Sequence, residues 1–400
     1  VCFSQYNFFK GYVVTNVGDT LRGFVHGKEN NSNPNTLRYK ATLSSETQRF
    51  SLNECAAFGI EDKEYYERYT VKISLGRTSF PDLSTGIDTT SKLETVFLKI
   101  LQKGKNANLY IYNDLLKTRF YIKENTAAIP VELMYYNFFH PESSSKIVSE
   151  SKFQNQLYAL FKMYQVENKF YEDLPRTKYD ESDLIKMITL VNHQNSVPSK
   201  YPPARFFVSA GGILSKGSYT GNHIFASESA TATSSVSPYF IVGVDIFANP
   251  AFRKSVFRIE LSTFSSTNEF SFQDPLNSYY GLHKLKQHNV VLAAQMLRHI
   301  YNGKNQKVFI GGGFSGSFTI SSESVSSFQY SLSGFNGIAG PVPARFHFSI
   351  PLVLGVVIQD KVELSFGYSV RSKITNYIGY SIRQERYRLG VGYLFNKKRS

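Results

Sequence analysis

The chain has 400 residues, of which 42% are hydrophobic and 15% aromatic, so it is too apolar and too aromatic to be disordered. The aromatic residues are 33 Phe and 27 Tyr with no Trp, and because Phe, Tyr and β-branched residues favour strands, we expect a mainly β protein. The formal net charge of +14 fits nucleic acid, a membrane surface or an anionic envelope polymer as a partner. The longest basic run is only Lys397–Arg399 at the chain end, so we expect no nucleic-acid binding.

The first residues, "VCFSQ", resemble the end of a secretory signal, with Cys2 and Ser4 as the small residues before a cleavage site at Gln5. We therefore interpret residues 1–5 as a signal-peptide remnant. Lipidation of Cys2 is the alternative, although Val1 is bulky where a lipoprotein signal usually has a small residue. If Cys2 is removed with the signal, Cys55 is the one remaining thiol, and we expect it to be a small buried residue rather than a catalytic one.

No apolar run approaches the roughly 18 residues of a transmembrane helix, so the sequence predicts none. A transmembrane barrel stays possible, because its strands need an apolar residue only at every second position. Alternation along the chain is therefore the informative pattern.

Residues 6–141 are predicted to form a β-rich domain. Two alternating segments surround Asn16–Asp19 in "GYVVTNVGDTLRGFV", a pattern typical of a β-hairpin. Near the end of the domain, "PVELMYYNFFHP" (130–141) is rich in aromatic residues, and we expect it to dock a partner. The candidate docking residues are Tyr135, Tyr136, Phe138 and Phe139.

Residues 142–204 are predicted to be a helical segment followed by a proline-rich linker. Apolar residues recur at helical spacing at Phe153, Leu157, Leu160 and Phe161. A second helix is predicted in "DESDLIKMITLVNHQ", with Asp180 or Ser182 as its N-cap. Three prolines in "NSVPSKYPPA" (195–204) indicate a domain boundary.

From residue 205 to residue 396, alternating segments of about ten residues recur eight times. One of them, "NVVLAAQMLRHIY" (289–301), fits a helix by its own pattern but a strand by its neighbours. One face of the segments is apolar or aromatic, and the other is small or polar, as at Asp245, Glu260 and Glu363. A soluble barrel would bury the apolar face and a barrel in lipid would expose it, so alternation alone does not choose between them.

Connection lengths favour the barrel in lipid. The connections after the second, fourth and sixth strands are short, whereas those after the first, third and fifth are long: 216–238, 265–288 and 321–343. Short periplasmic turns and long outer loops are typical of outer-membrane barrels. The sequence therefore predicts a C-terminal eight-stranded antiparallel transmembrane β-barrel, with an N-terminal β-rich periplasmic domain and a short helical segment before it.

The closing segment, "ERYRLGVGYLF", has Arg386 and Arg388 on one face. The other face consists of Tyr387, Leu389, Val391, Tyr393 and Phe395. The region Arg205–Phe395 resembles the outer-membrane β-barrel proteins of Bacteroidota, in the broad class of PorT-like and other small outer-membrane barrels. "YRLGVGYLF" resembles the aromatic-ended pattern that the outer-membrane assembly machinery recognises, and "FHFSIPLVLGVVI" (346–358) is a second point of similarity.

The resemblance implies that the five apolar residues of the closing face form a barrel assembly signal. It also implies a location in the Gram-negative cell outer membrane, with outer-membrane lipid and lipopolysaccharide as neighbours. The basic tail, residues 397–400, departs from the pattern, because many such proteins end at the aromatic residue.

Motifs for catalysis or metal binding are not evident. The eight histidines are scattered, with neither an HExxH motif nor a Cys/His array. "GGGFSGS" (311–317) lacks the context of a phosphate-binding loop or a nucleophile elbow and fits small residues inside a narrow barrel. We therefore expect no catalytic residue, no metal and no cofactor.

An eight-stranded barrel is filled by side chains and does not serve as a general pore. We therefore expect a non-enzymatic subunit of an envelope complex for secretion, outer-membrane assembly or surface-protein export, whose periplasmic domain docks other envelope proteins. One alternative is a periplasmic or soluble barrel that binds an apolar ligand. Another is an outer-membrane enzyme with its site at the barrel rim, using Asp274, His283 and His288, which share the second long connection.

Overall fold

The chain forms two compact units, Val1–Ser199 and Lys200–Ser400. The computed structural model describes residues 7–27, 29, 32–194, 201–274, 279–303, 305–330 and 336–395. The signal remnant predicted at residues 1–5 and the basic tail at 397–400 lie outside the described residues.

The N-terminal unit is built around a ten-stranded antiparallel sheet. Its strands are β1 (Phe8–Thr15), β2 (Thr20–His26), β3 (Thr36–Lys40), β4 (Gln48–Ser51), β5 (Cys55–Ile60), β6 (Glu64–Ser74), β7 (Ser91–Gln102), β8 (Ala107–Asn113), β9 (Thr118–Glu124) and β10 (Val131–Glu132). They lie in the order β10-β9-β8-β7-β6-β5-β1-β2-β3-β4. A separate hairpin consists of β11 (Tyr136–His140) and β12 (Ser143–Glu150).

The hairpin predicted near the start of the chain is present as β1 and β2, in which Val13 lies opposite Leu21. Thr15 donates its N–H to the carbonyl of Asp19 at 2.9 Å and closes the turn. Gly18 has a φ of +95°, a left-handed conformation that glycine adopts without the clash a Cβ would cause. The alternation in the sequence therefore placed this hairpin correctly.

Two helices follow the sheet, α1 (Lys152–Met163) and α2 (Glu181–Val191), with a 3₁₀ helix at Asn168–Arg176 between them. As predicted, one face of α1 is buried, and it packs against β8, β9 and α2 in a core that includes Leu109, Phe120, Phe153, Leu157, Phe161, Leu184 and Ile188. Asp180 caps α2, since its side chain accepts the N–H of Asp183 at 2.9 Å. Of the helices that the structure describes, none is long and apolar enough to cross a membrane.

The start of the predicted helical segment is wrong, because residues 143–150 form β12. Phe138 of β11 lies opposite Val148, and Phe139 lies opposite Ile147. β-branched residues favour strands, and serines disfavour the interior of a helix. The helix therefore begins only at Lys152.

The C-terminal unit is a sheet closed into a ring. Its strands are β13 (Ala204–Gly221), β14 (Ala230–Ala232), β15 (Ser234–Phe247), β16 (Ser255–Asp274), β17 (Tyr279–Asn302), β18 (Gln306–Tyr330), β19 (Asn336–Ala339), β20 (Phe346–Ser349), β21 (Pro351–Ile358), β22 (Val362–Lys373) and β23 (Tyr380–Phe395). Eight of them form the ring β13-β15-β16-β17-β18-β21-β22-β23, and β23 pairs back to β13 from Phe206↔Phe395 to Gly221↔Tyr380.

Several ring strands are longer than predicted, and the long connections are correspondingly shorter. The segment 265–288, predicted to be a loop, is a paired hairpin in which Ser265 lies opposite His288. Within it Phe270 and Leu285 are buried in a cluster with Tyr219. Its Ser, Thr and Asn content suggested a loop, but burial at every second residue holds it in the sheet. The segment 289–301 lies within β17, as its neighbours indicated.

Cys55 provides a test of the N-terminal core. Its side chain is fully buried, and this burial raises the pKa of its thiol to about 11. At pH 8 the thiolate fraction is therefore roughly a hundredfold below that of an unperturbed cysteine. In a Cys2→Ser variant of the full chain, we expect Ellman's reagent to modify Cys55 at least that much more slowly in the folded protein than in urea. Comparable rates in the two states would contradict the burial of Cys55.

Candidate functional site

The outer face of the ring is apolar on every strand. Exposed apolar side chains include Phe206 and Val208 on β13, Phe240 and Val242 on β15, Phe257 and Leu261 on β16, Leu292 and Met296 on β17, Phe314 and Phe318 on β18, Leu352 and Leu354 on β21, Leu364 and Phe366 on β22, and Leu389 and Val391 on β23. Soluble monomers rarely expose a contiguous apolar surface of this kind. The outer face is therefore the first candidate functional surface.

The height of this apolar surface matches a membrane. On β18 it extends over the eleven residues from Ile310 to Ile320, whose ten steps span roughly 33 Å along a strand. At the tilt of about 40° usual in closed sheets, this gives roughly 25 Å along the barrel axis, the height of the apolar band of outer-membrane barrels. Aromatic pairs lie towards its two ends, Tyr393 with Phe395 at 5.1 Å and Tyr368 with Tyr387 at 5.0 Å between ring centroids.

The interior of the ring contains an ion-pair network centred on Arg258 of β16. Arg258 donates to both carboxylate oxygens of Glu363 at 2.7 and 2.8 Å, and to both of Asp245 at 2.7 and 3.0 Å. Arg205 of β13 donates to the same Asp245 at 2.9 Å. All four side chains are at most 5% exposed, so each charge depends on its partners rather than on bulk water.

A second buried pair comes from the closing strand. Arg388 of β23 donates to Glu260 of β16 at 2.5 Å, and Glu260 is 2% exposed. Arg386, two residues earlier, also points inward and is buried. Both arginines lie on the face opposite the apolar residues, as the alternation predicted.

The five residues predicted to form an assembly signal all lie in β23. Leu389, Val391, Tyr393 and Phe395 are exposed on the outer face. Tyr387 is half-buried against Tyr368. The structure thus brings these five side chains together on one surface; their recognition during assembly stays a prediction.

The four aromatic residues predicted to dock a partner are less accessible than expected. Tyr135 stacks on Tyr179 at 4.9 Å between ring centroids, and Tyr136 is 6% exposed. Both therefore contribute to the interior of the N-terminal unit. Phe138 and Phe139 are half-buried in β11, and Tyr135 is also half-buried, so of the four only Tyr136 is closed to a partner.

The residues considered for a rim enzyme do not converge. His283 is fully buried, with its Nδ1 2.7 Å from the Tyr219 hydroxyl and its Nε2 3.0 Å from the Ser324 hydroxyl. His288 is exposed, 2.6 Å from the hydroxyl of Ser265. Because they are five residues apart on one strand, the two histidines point to opposite faces. Asp274 lies at the end of β16, opposite Tyr279.

Little room for a ligand remains inside the ring. The cavity found there has a volume of about 30 Å³ and is lined by charged and polar residues as well as apolar ones, so it does not suit an apolar ligand of any size. A larger cavity of about 250 Å³ lies in the N-terminal unit, lined by residues that include His26, Arg38 and Phe58. Within the described residues, no group of three or more His, Cys, Asp or Glu side chains could hold a metal ion.

The sequence placed Asp245, Glu260 and Glu363 on the polar face but did not identify their partners. Arg205 and Arg258 were not singled out, although each occupies a position where the alternation requires an inward residue. In the sequence, these two arginines could have been identified as charged residues at inward positions of a strand. Their partners on other strands depend on ring order, which the sequence does not show.

No family model matches the chain, and no curated protein matches it. Several solved structures do. Neisserial surface protein A aligns with 48% of this chain and all of its own, at 15% identity and a TM-score of 0.27. The outer membrane protein OprG from Pseudomonas aeruginosa aligns with 49% of this chain and 98% of its own, at 12% identity and 0.31. Ail, the attachment invasion locus protein of Yersinia pestis, aligns with 48% of this chain and all of its own, at 12% identity and a TM-score of 0.25. At TM-scores this low the likeness carries no functional argument, whereas the geometry of the ring does.

The Arg258 network predicts a large effect for a small substitution. Glu363→Gln removes one carboxylate and leaves part of the Arg258 charge buried without a partner, which typically costs about 3–5 kcal/mol. Unfolding by urea in detergent can be measured as the loss of compact gel mobility. We expect the urea midpoint of this transition to fall markedly in Glu363→Gln. Glu323→Gln, at an exposed position of β18, is the matched control. It should change the free energy of unfolding by less than about 0.5 kcal/mol and so leave the midpoint close to that of wild type. Equal effects of the two substitutions would show that the network is not coupled to folding.

Proposed function

We propose that the C-terminal ring is a transmembrane β-barrel of a Gram-negative outer membrane, and that it anchors the N-terminal unit as a non-enzymatic subunit of an envelope complex. The observation that carries the proposal is the polarity of the ring. Apolar side chains cover the outside of all eight strands, while the inside contains the buried ion pairs of Arg258 and Arg388 beside a cluster of apolar side chains.

The physical argument starts from the backbone. In lipid, each N–H and C=O group must be paired within the protein, and a closed ring of strands satisfies this requirement. The hydrophobic effect then selects the surroundings of each face: leaving the apolar outer face in water would be unfavourable, and placing it in hydrocarbon removes that cost. The charged interior is compatible with this arrangement because its members pair with one another.

The topology of the ring supports a periplasmic location for the N-terminal unit. The chain enters the ring at Ala204 and leaves it at Phe395, and these ends lie at one edge, since Phe206 pairs with Phe395. The short connections after β15, β17 and β21 lie at the same edge. In outer-membrane barrels the short connections face the periplasm, so we assign this edge, and the unit that precedes it, to the periplasmic side.

At the opposite edge the outer surface carries charged side chains of both signs. Lys284 and Lys286 of β17 are exposed there; Lys284 pairs with Glu269 at 2.7 Å, and Lys286 lies opposite Glu323. Basic residues beside an apolar band are suited to the phosphate groups of anionic lipid. This supports outer-membrane lipid and lipopolysaccharide as the surroundings of the barrel.

We place partner docking at the β10 edge of the N-terminal sheet, adjoining the hairpin that carries Phe138 and Phe139. β10 ends the sheet order, and Ile129 and Val131 are 54% and 60% exposed there. The backbone of this edge is capped by α1, since Gln156 accepts the N–H of Met134 at 2.8 Å and donates to the carbonyl of Glu132 at 2.9 Å. A partner would therefore contact the exposed apolar side chains rather than extend the strand. The envelope complex so formed would serve secretion, outer-membrane assembly or surface-protein export.

Membrane association is tested first by extraction. We expect the native protein to stay in the membrane fraction through sodium carbonate and high salt and to be released by detergent, because the apolar outer face lies in hydrocarbon. Release by carbonate alone would support the soluble ligand-binding alternative instead.

A pair of leucine substitutions tests the lipid contact itself. Leu389 on the ring and Leu93 on the N-terminal sheet are similarly exposed, at 68% and 73%. In lipid, Leu389→Arg should cost up to about 2–4 kcal/mol, depending on its depth, whereas Leu93→Arg in water should change stability by less than about 0.5 kcal/mol. We expect only Leu389→Arg to reduce the amount of heat-modifiable barrel in the membrane. Equal tolerance of both substitutions would place the ring in water.

Site-specific photo-crosslinking tests the docking edge. A photoreactive residue at Val131 should give a discrete crosslink to another envelope protein in intact cells, because this edge would be covered in the complex. The control position is Leu115, which is 97% exposed in a turn of the same unit. A crosslink of equal yield at Leu115, or none at Val131, would contradict docking at this edge.

A further inference from the structure

The charges inside the ring do not balance. The arginines of the interior are Arg205, Arg258, Arg386 and Arg388, and the carboxylates are Asp245, Glu260 and Glu363. The three carboxylates are engaged by Arg205, Arg258 and Arg388. One positive charge, that of Arg386, is therefore left over.

Arg386 is only 4% exposed, and among the described residues no carboxylate lies within ion-pair distance of its guanidinium. Its polar contacts are the hydroxyls of Ser317 and Ser349, at 3.3 and 3.2 Å. The face of the Phe264 ring, 5.2 Å away, provides a cation–π contact. These neutral contacts orient the guanidinium without neutralising it, and a buried charge is costly without a counter-charge.

A second orphaned group lies beside the first. His347 is 6% exposed, and neither of its ring nitrogens has a hydrogen-bond partner in the protein. His347 is directly opposite Ser317 and two residues from Ser349, on the inward face of β20. The two serines that contact Arg386 therefore also border His347, so an uncompensated charge and an unpartnered imidazole lie close together in the lumen.

The cavity inside the ring lies beside Arg386. Its volume is about 30 Å³, and its lining includes Arg386, Arg388, Ser262, Ser315 and Ser369. A polar cavity of this volume has room for at least one water-sized occupant. Glu260 also lines it, with its Oε1 paired to Arg388 at 2.5 Å and its Oε2 without a hydrogen-bond partner in the protein. Two arginines against one carboxylate leave the net charge around the cavity positive.

We propose that the lumen of the ring contains a binding site for a single monovalent halide, chloride under physiological conditions, held by Arg386 and the surrounding serine hydroxyls. The anion supplies the counter-charge that the protein lacks, and the Arg386 guanidinium has several N–H groups that can donate to it. One uncompensated positive charge matches one monovalent anion. The proposal concerns the lumen and does not depend on what surrounds the outer face.

Halide-dependent stability tests the site in the full chain in detergent. In sodium gluconate, whose anion is too large for the cavity, we expect the unfolding temperature to rise as bromide or chloride replaces gluconate at constant ionic strength, because a ligand that binds only the folded state stabilises it. The rise should be lost in Arg386→Gln and kept in Arg371→Gln, whose side chain is 49% exposed on β22. An unchanged unfolding temperature in wild type would overturn the proposal.

Bromide crystallography gives a second measurement that does not need the variant to fold. Crystals of the wild type grown with bromide should show an anomalous peak in the cavity next to the Arg386 guanidinium. A density without anomalous signal would identify water and overturn the proposal. If crystals of Arg386→Gln retain the peak, the result is an adventitious ion only, which also overturns it.

Discussion

Closure of the C-terminal sheet on eight strands is the constraint on which the rest of this unit depends. A ring of that size encloses a space just wide enough for side chains, so charged groups inside it can reach one another but not bulk water. Arg258 meets the constraint by pairing with Asp245 on one neighbouring strand and with Glu363 across the ring. These partners are 13 and 105 residues away in the chain, so the network joins strands that local sequence does not bring together.

The two units follow opposite rules of polarity. In the N-terminal unit, apolar residues such as Phe97, Leu98 and Leu109 are fully buried, as the hydrophobic effect requires in water. In the ring, the exposed outer face is apolar on all eight strands, and the buried charges lie inside beside other apolar side chains. A single solvent does not explain both arrangements. Water around the first unit and hydrocarbon around the second explain them together, and this contrast is the basis of the anchoring function that we propose.

Much of this was accessible from the sequence. Period-2 alternation predicted the ring strands, the outward position of Leu389 and Val391, and the inward position of Arg386 and Arg388. Spacing predicted α1 and α2, and Asp180 is the N-cap of α2. The errors have local causes: Ser143–Glu150 resembled the start of a helix, and the hairpin around 265–288 resembled a loop, because serine-rich composition outweighed alternation. Tyr135 and Tyr136 were assigned to the surface, although aromatic rings close in sequence also serve to fill a core.

The sequence by itself determined which residues share a face, because the direction of a side chain in a strand or helix depends only on its position along the backbone. The tertiary structure decided which face is inside, how the ring closes through β13 and β23, and which charges meet. Those outcomes depend on strand order and register between distant segments. The pairing of Arg388 with Glu260, and the absence of any such partner for Arg386 among the described residues, follow from ring geometry that no single strand encodes.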